Sequence, residues 1–135
     1  MPAGKAGNKE TLGEPFILNG KQIPFSQAVR ANGPLVITSG QVPFKDGKVI
    51  GETIEDQTRY VLNAIGELLR MAGTGMDNAV ETTCIITDPT DFPGFNKVYA
   101  EFFPNNPPAR TTFVAALLVP VKVEIAAKAV MPLTG

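Results

Sequence analysis

Pro107-Pro108-Ala109-Arg110-Thr111-Thr112-Phe113-Val114-Ala115-Ala116-Leu117-Leu118 and the run Val121-Lys122-Val123-Glu124-Ile125-Ala126-Ala127 are the stretches on which the fold turns. The two prolines stiffen a loop, and Arg110 stands where that loop becomes an apolar strand. A side-chain period of two places Arg110 and Thr112 on one face, together with Val114 and Ala116. In the following strand Lys122, Glu124, Ala126 and Lys128 share a face, opposite Val123, Ile125 and Ala127. Arginine is always charged and offers a planar fork of donors suited to a carboxylate. One Arg and one Glu among apolar residues read in two ways. Glu124 can be the ion-pair partner of Lys122, Lys128 or Arg110, or the two can be parts of an active site.

Upstream, residues 1–14 are small and polar with Gly and Pro, and read as a flexible arm ahead of a single domain over 15–135. Pro15 to Leu18 is a short strand ended by Asn19-Gly20. Phe25 to Ala31 and Leu35 to Val42 flank Asn32-Gly33 and read as a hairpin, and Asp46-Gly47 marks another turn. Thr53 to Ala72 is a helix. Thr53 is its N-cap, Glu55 and Asp56 suit its dipole, and Gly73 stops it. Its apolar face is Val61, Ile65, Leu68 and Ala72, with Leu62 and Leu69 beside them. Val80 to Thr87 is a strand with Val80, Thr82, Cys84 and Ile86 on one side. Asp91 caps a second helix, about Phe92 to Phe103, whose apolar face is Phe92, Phe95, Tyr99 and Phe102 and which Pro104 ends. Arg110 to Leu118 and Val121 to Met131 close the chain as strands.

The order β-β-β-α-β-α-β-β is an α+β pattern, a sheet with both helices on one face. The other face should then be polar, yet Leu35-Val36-Ile37 and Phe113 to Leu118 are apolar on both sides. Burial of that second face against further copies of the chain resolves the conflict.

Composition narrows the chemistry. The 135 residues are 44% hydrophobic and 19% charged, ordinary for one globular domain. A net charge of -1 gives no footprint for nucleic acid or an anionic membrane, and no apolar run is long enough to span a bilayer. Met1 to Glu10 hold no apolar core of a signal peptide, and a lone cysteine, Cys84, suits a reducing compartment, so a cytoplasmic location is expected. The chain has no histidine, which excludes a Ser-His-Asp triad, the usual Cys-His nucleophile and most zinc sites. Catalysis, if present, falls to Arg, carboxylates, Tyr, Ser or Thr, backbone groups and water.

Five segments then carry a resemblance: Pro24-Phe25-Ser26-Gln27-Ala28, Ile37-Thr38-Ser39-Gly40-Gln41, Phe95-Asn96-Lys97-Val98-Tyr99-Ala100-Glu101-Phe102-Phe103, Pro108-Ala109-Arg110-Thr111-Thr112 and Val121-Lys122-Val123-Glu124-Ile125. In this order and spacing, over about residues 23–131, the chain resembles the RidA/YjgF family of enamine and imine deaminases. The resemblance implies a chorismate mutase-like fold, with a mixed six-stranded sheet and two helices on one face. It also implies a homotrimer whose sites lie between subunits. It implies hydrolysis of 2-aminoacrylate-like and 2-iminobutyrate-like species to 2-keto acids and ammonia, without metal or cofactor. Relatives handling aminoacrylate of pyrimidine breakdown or 2-aminomuconate, and a non-catalytic small-ligand-binding or chaperone-like trimer, are the alternatives.

Position by position, the resemblance makes Arg110 the clamp for the substrate carboxylate and Glu124 the residue that holds or activates water. Ser39 and Gly40 line the pocket, with Asn96 from the second helix. Thr112 falls where many members carry cysteine or another small residue. Phe25 stands where many members have tyrosine, and Ile23 where they have glycine, which bears on substrate choice. Without the resemblance, Ser39 is a strand end, Asn96 a helix-surface residue, Phe25 a core residue and Cys84 a small buried one.

Overall fold

The computed structural model describes residues 4–6 and 8–133 of the chain. Its elements are β1 (Gly4–Ala6), β2 (Lys9–Leu12), β3 (Ile17–Leu18), β4 (Lys21–Gln22), β5 (Ala28–Ala31), β6 (Leu35–Ile37), β7 (Phe44–Lys45), β8 (Lys48–Val49), α1 (Ile54–Met71), β9 (Ala79–Ile86), α2 (Phe92–Phe102), β10 (Ala109–Val114) and β11 (Val123–Val130). Two helices and a mixed sheet give the expected α+β class.

The central sheet runs β10-β9-β11-β6, with β10 parallel to β9 and the other pairs antiparallel. Register fixes its faces. Thr82 pairs with both Arg110 and Ala127, and Cys84 with both Thr112 and Ile125. Those residues therefore share one face, which α1 and α2 cover. Val61, Leu62, Ile65 and Leu69 from α1 and Phe95, Tyr99 and Phe103 from α2 or its end close the core over Cys84, Ile86, Val123 and Ile125. The opposite face carries Thr83, Ile85, Glu124 and Ala126, with Phe113 and Ile37 exposed on it.

The helix ends follow the expected physics. Thr53 Oγ1 accepts the Asp56 N–H at 3.1 Å, and Gly73, at φ +92°, follows the last turn of α1. The buried stripe of α1 is rotated from the one expected: Leu69 is buried, Leu68 half-buried and Ala72 exposed. Gln57 is buried instead, its amide donating to Gly51 O at 3.1 Å and accepting Lys122 N–H at 2.8 Å. Asp91 occupies the N-cap of α2 but makes no capping bond; Asp88 accepts from Thr90 N–H one step earlier.

Three expectations are corrected. Residues 25–31 and 35–42 do not form a hairpin: β5 pairs with β2, and β6 pairs with β11. A tight hairpin turn with a type I′ backbone needs φ above zero at both central residues. Asn19-Gly20 (+53°, +78°) and Asp46-Gly47 (+54°, +78°) meet that need and close the β3–β4 and β7–β8 hairpins. At 32–33 only Gly33 has positive φ, and the chain crosses there from one sheet to the other. The expected single six-stranded sheet is instead divided into two hydrogen-bonded parts. A three-stranded β1-β2-β5 sheet stands beside the four-stranded one, and the isolated bridge Ser26–Ala109 joins the chain ahead of β5 to β10.

The third correction is the flexible arm over 1–14, since β2 is a paired strand within it. Residues 1–3 and 7 of that arm, and 134–135 of the expected domain, lie outside the described residues. Among the described residues no helix is long and apolar enough to cross a membrane.

Lys9 of β2 is buried, and its amine donates to the carbonyls of Asp77 (3.1 Å) and Asn106 (2.6 Å). Burial lowers its pKa to about 8, and the nearby Asp77 carboxylate opposes the shift. The folded chain then releases this proton at lower pH than the unfolded chain, whose value is 10.5. The contribution of Lys9 is least favourable below pH 8 and improves as pH rises toward 10.5. Urea unfolding of wild type and Lys9→Met across that range should show wild type gaining about 2 kcal/mol relative to the variant. A constant difference between the two proteins would contradict this.

Candidate active site

The loop Pro107-Pro108 is tied down before β10 begins. Ser26 Oγ donates to Pro107 O at 2.5 Å, and Ser26 N–H to Pro108 O at 3.0 Å. Two sequence segments some eighty positions apart thereby meet, and Phe25 is set beside Arg110, its ring centroid 5.4 Å from the guanidinium carbon. Phe16 stacks on the Phe25 ring at 5.4 Å. From α2, Tyr99, Phe95 and Phe92 approach the same carbon at 4.8, 5.2 and 5.8 Å.

Arg110 is thus surrounded by four rings. Its Nε and Nη1 are buried with no hydrogen-bond partner, and it forms no ion pair among the described residues. Burial pushes its pKa down from the ordinary arginine range. Cation–π attraction offsets part of the desolvation, up to about 2 kcal/mol where water is excluded. It leaves the in-plane donors of the fork unused, and those are the groups that bind a carboxylate.

Thr112 follows on the same side of β10, and its Oγ1 is also buried without a partner. It opens on a hollow of about 170 Å3 shared with Phe92 and Ile86. Asn96, one turn beyond Phe92, has a buried, unpartnered Oδ1. Native proteins satisfy nearly all buried polar atoms, and each exception needs a cause. Among the described residues five buried side-chain atoms lack partners, and four of them belong to Arg110, Thr112 and Asn96. The fifth, Thr58 Oγ1, is on α1.

Behind Arg110 the groups are locked and neutral. The Tyr99 hydroxyl and Thr82 Oγ1 share a hydrogen bond of 2.7 Å. Burial raises the pKa of Tyr99 and takes that of the Cys84 thiol up to about 11. Cys84 is therefore a buried thiol and not a nucleophile.

Glu124 lies on the other face of the sheet. Its partner in β9 is Ile85, whereas that of Arg110 is Thr82, and odd and even positions of β9 point opposite ways. Arg110 and Glu124 therefore do not meet within one chain. Pairing with the lysines is also absent among the described residues: Lys128 bonds Glu81 at 2.9 Å, and Glu124 forms no ion pair. Ser39 and Gly40 accompany Glu124. The chain is held on either side of them by Thr38 N–H to Ala127 O (2.9 Å) and Gln41 N–H to Ile125 O (2.8 Å). A methyl group at Gly40 would overlap Glu124 Oε2 and stand 2.9 Å from its Cδ, so glycine is what lets the carboxylate lie there.

The sequence-predicted residues thus fall into two groups. Phe25, Asn96, Arg110 and Thr112 gather on the helix-covered face, and Glu124 lies on the open one against Gly40, which Ser39 precedes in the chain. The sequence marks Phe92, Phe95 and Tyr99 only as the apolar face of α2, yet their rings surround the Arg110 guanidinium. The signal for this second role is that the apolar face of α2 points at the strand that bears the arginine.

The model of the family described as Endoribonuclease L-PSP matches residues 20–131. Reactive Intermediate Deaminase A, chloroplastic, of Arabidopsis thaliana is 41% identical over 105 residues, 76% of this chain and 56% of that protein. The chain therefore spans little more than half the length of that relative. The human 2-iminobutanoate/2-iminopropanoate deaminase is 36% identical over 115 residues, 82% of this chain and 83% of that one. A solved structure from Yersinia pestis, described as the protein YyfB of the conserved Rid protein family, superposes with a TM-score of 0.78. It is 25% identical and covers 92% of this chain and 99% of its own. The five ordered segments, the α+β architecture and these likenesses agree, and the chain belongs to the RidA/YjgF family, whose model bears the description Endoribonuclease L-PSP.

Proposed function

We propose that the protein hydrolyses reactive 2-imino and 2-enamino acids to 2-keto acids and ammonia, at a site completed by a second copy of the chain. The observation that carries this reading is the buried guanidinium of Arg110, desolvated and without a carboxylate, beside the unpartnered Thr112 and Asn96. A folded chain gains nothing by holding such a group unless a ligand anion completes it. The substrate carboxylate takes the Arg110 fork, which fixes the position of the 2-carbon.

Glu124 supplies the water. Its carboxylate accepts a proton from water as the oxygen bonds to the 2-carbon and the C=N pair moves onto nitrogen, and that proton passes to the nitrogen to give the carbinolamine. The hydroxyl proton of the carbinolamine then moves to the nitrogen as the C=O bond forms and the C–N bond breaks, so that ammonia leaves and the carboxylate is restored. An enamine first takes a proton from solvent at its 3-carbon and gives up one from nitrogen, which makes it the imine. A 2-imino acid is already electrophilic, so orientation and a base suffice.

The uncovered face of the central sheet exposes Leu35 (51%), Ile37 (64%) and Phe113 (46%). An assembly that buries this face carries the Glu124 half-site of one copy to the Arg110 rim of the next. The homotrimer expected from the family is such an assembly. The family model's name describes a ribonuclease, but a net charge of -1 and the absence of histidine do not favour RNA chemistry here.

A coupled assay tests the reaction. With threonine dehydratase generating the intermediate, adding this protein should accelerate keto-acid release, and no acceleration would refute the assignment. In the same assay Glu124→Gln should lower kcat by about a hundredfold with little change in KM and an unchanged melting temperature. Gly40→Ala, which displaces the Glu124 carboxylate, should act in the same direction by about tenfold. A lower melting temperature with a normal rate in Glu124→Gln would mean a structural carboxylate.

A further inference from the structure

The four rings around Arg110 are not held alike. Phe95 and Tyr99 are fully buried and Phe92 packs against the same core, so α2 fixes all three. Phe25 lies in a loop, is half-buried, and has no hydroxyl through which its ring could be anchored. Its backbone is held. A three-residue turn on Pro24 closes from Phe25 N–H to Ile23 O at 2.8 Å, and Ser26 is bonded to the Pro107-Pro108 loop. Such bonds still leave the ring a choice of rotamers, which only its side-chain contacts can restrict. Phe16 stacks on it, with centroids 5.4 Å apart and planes 28° from parallel, and among the described residues no other ring does. Phe16 stands at the base of the β3–β4 hairpin, where its carbonyl accepts Ile23 N–H at 2.9 Å. It lies ahead of the family-matched residues 20–131.

We propose that Phe16 is a positioning residue of the Arg110 site: stacked on Phe25, it holds that ring against the guanidinium and keeps water from the fork until a carboxylate takes it. Offset aromatic stacking is directional as well as apolar, so it selects one ring orientation. Without Phe16 the Phe25 ring samples other rotamers, and the guanidinium is hydrated while it does so. The site is then competent for only a fraction of the time, and apparent affinity falls by that fraction. The water held by Glu124 lies on the other face of the sheet and is unaffected, so the cost appears in KM and not in kcat. The role rests on Arg110 being the carboxylate clamp.

Phe16 is 40% exposed, so it can be truncated without opening the core. Steady-state kinetics on 2-iminobutyrate, formed in situ by an amino-acid oxidase, test the role. Phe16→Ala should raise KM about tenfold and leave kcat within about twofold of wild type. Phe16→Tyr, which keeps the ring, should restore the wild-type KM. In a Phe25→Ala background, adding Phe16→Ala should move KM by less than about twofold, because the ring it acts through is gone. A second measurement needs no catalysis. The chain has no tryptophan, so Phe25→Trp supplies a single fluorescent reporter, whose anisotropy should fall when Phe16→Ala is added. An unchanged KM in Phe16→Ala, an equal rise in KM with and without Phe25, or an anisotropy indifferent to Phe16 would overturn the positioning role and leave the Arg110 clamp standing. An unchanged KM in Arg110→Met would overturn the clamp, and the role of Phe16 with it, whatever the reporter shows.

Discussion

Replacing Arg110 by methionine is expected to lower kcat/KM by roughly a thousandfold or more while leaving the melting temperature unchanged or higher. The two effects have one cause. Arg110 is a buried cation whose Nε and Nη1 have no partner within the chain, so no ion pair there offsets its desolvation. Methionine keeps an unbranched stem to pack among Phe25, Phe92, Phe95 and Tyr99 and removes the charge. Stability is preserved and substrate orientation is lost. Arg110→Lys should recover little, because a point charge lacks the bidentate fork. Steady-state kinetics and a thermal melt on the same preparation check both halves. A melting temperature lower by ten degrees or so, or activity within a few-fold of wild type, would make Arg110 a structural residue.

The face on which each of these strand residues lies was legible in the sequence, because strand parity is a local property. Arg110 with Thr112, and Lys122 with Glu124, were placed on shared faces from alternation alone, and burial agrees: Val123, Ile125 and Ala127 are buried, whereas Lys122, Glu124 and Ala126 are only partly so. Whether two strands show each other the same face is not local. It depends on β9, which lies between β10 and β11 and sets both registers through Thr82 and Cys84. A one-residue change in either pairing would put Arg110 and Glu124 on the same face, and nothing within either strand decides it.

The turns show the same limit. Three dipeptides of one chemistry, Asn19-Gly20, Asn32-Gly33 and Asp46-Gly47, read alike, yet only the first and last close hairpins. At Asn32-Gly33 the flanking strands have better partners elsewhere: β2 for β5, and β11 for β6. β2 carries no strand signal in its sequence because its composition, Lys9-Glu10-Thr11-Leu12, is mostly polar. Its burial becomes tolerable once the carbonyls of Asp77 and Asn106 take the Lys9 amine, and no window of sequence displays that. The ends of α1, by contrast, were legible because Thr53 and Gly73 act on their immediate neighbours.

If one copy supplies Arg110 and the next supplies Glu124, two inactive proteins complement each other when mixed. Arg110→Met retains a sound Glu124 half-site, and Glu124→Ala retains a sound Arg110 half-site. In any cyclic assembly formed at random from equal amounts, a site works only where an arginine-bearing copy precedes a glutamate-bearing one, which happens at about one site in four. Unfolding the two variants together and refolding them should therefore restore roughly a quarter of wild-type activity, although each alone is inactive. Activity that stays at the level of the separate variants, with mixed assembly verified by mass spectrometry of differently tagged chains, would contradict a site shared between subunits.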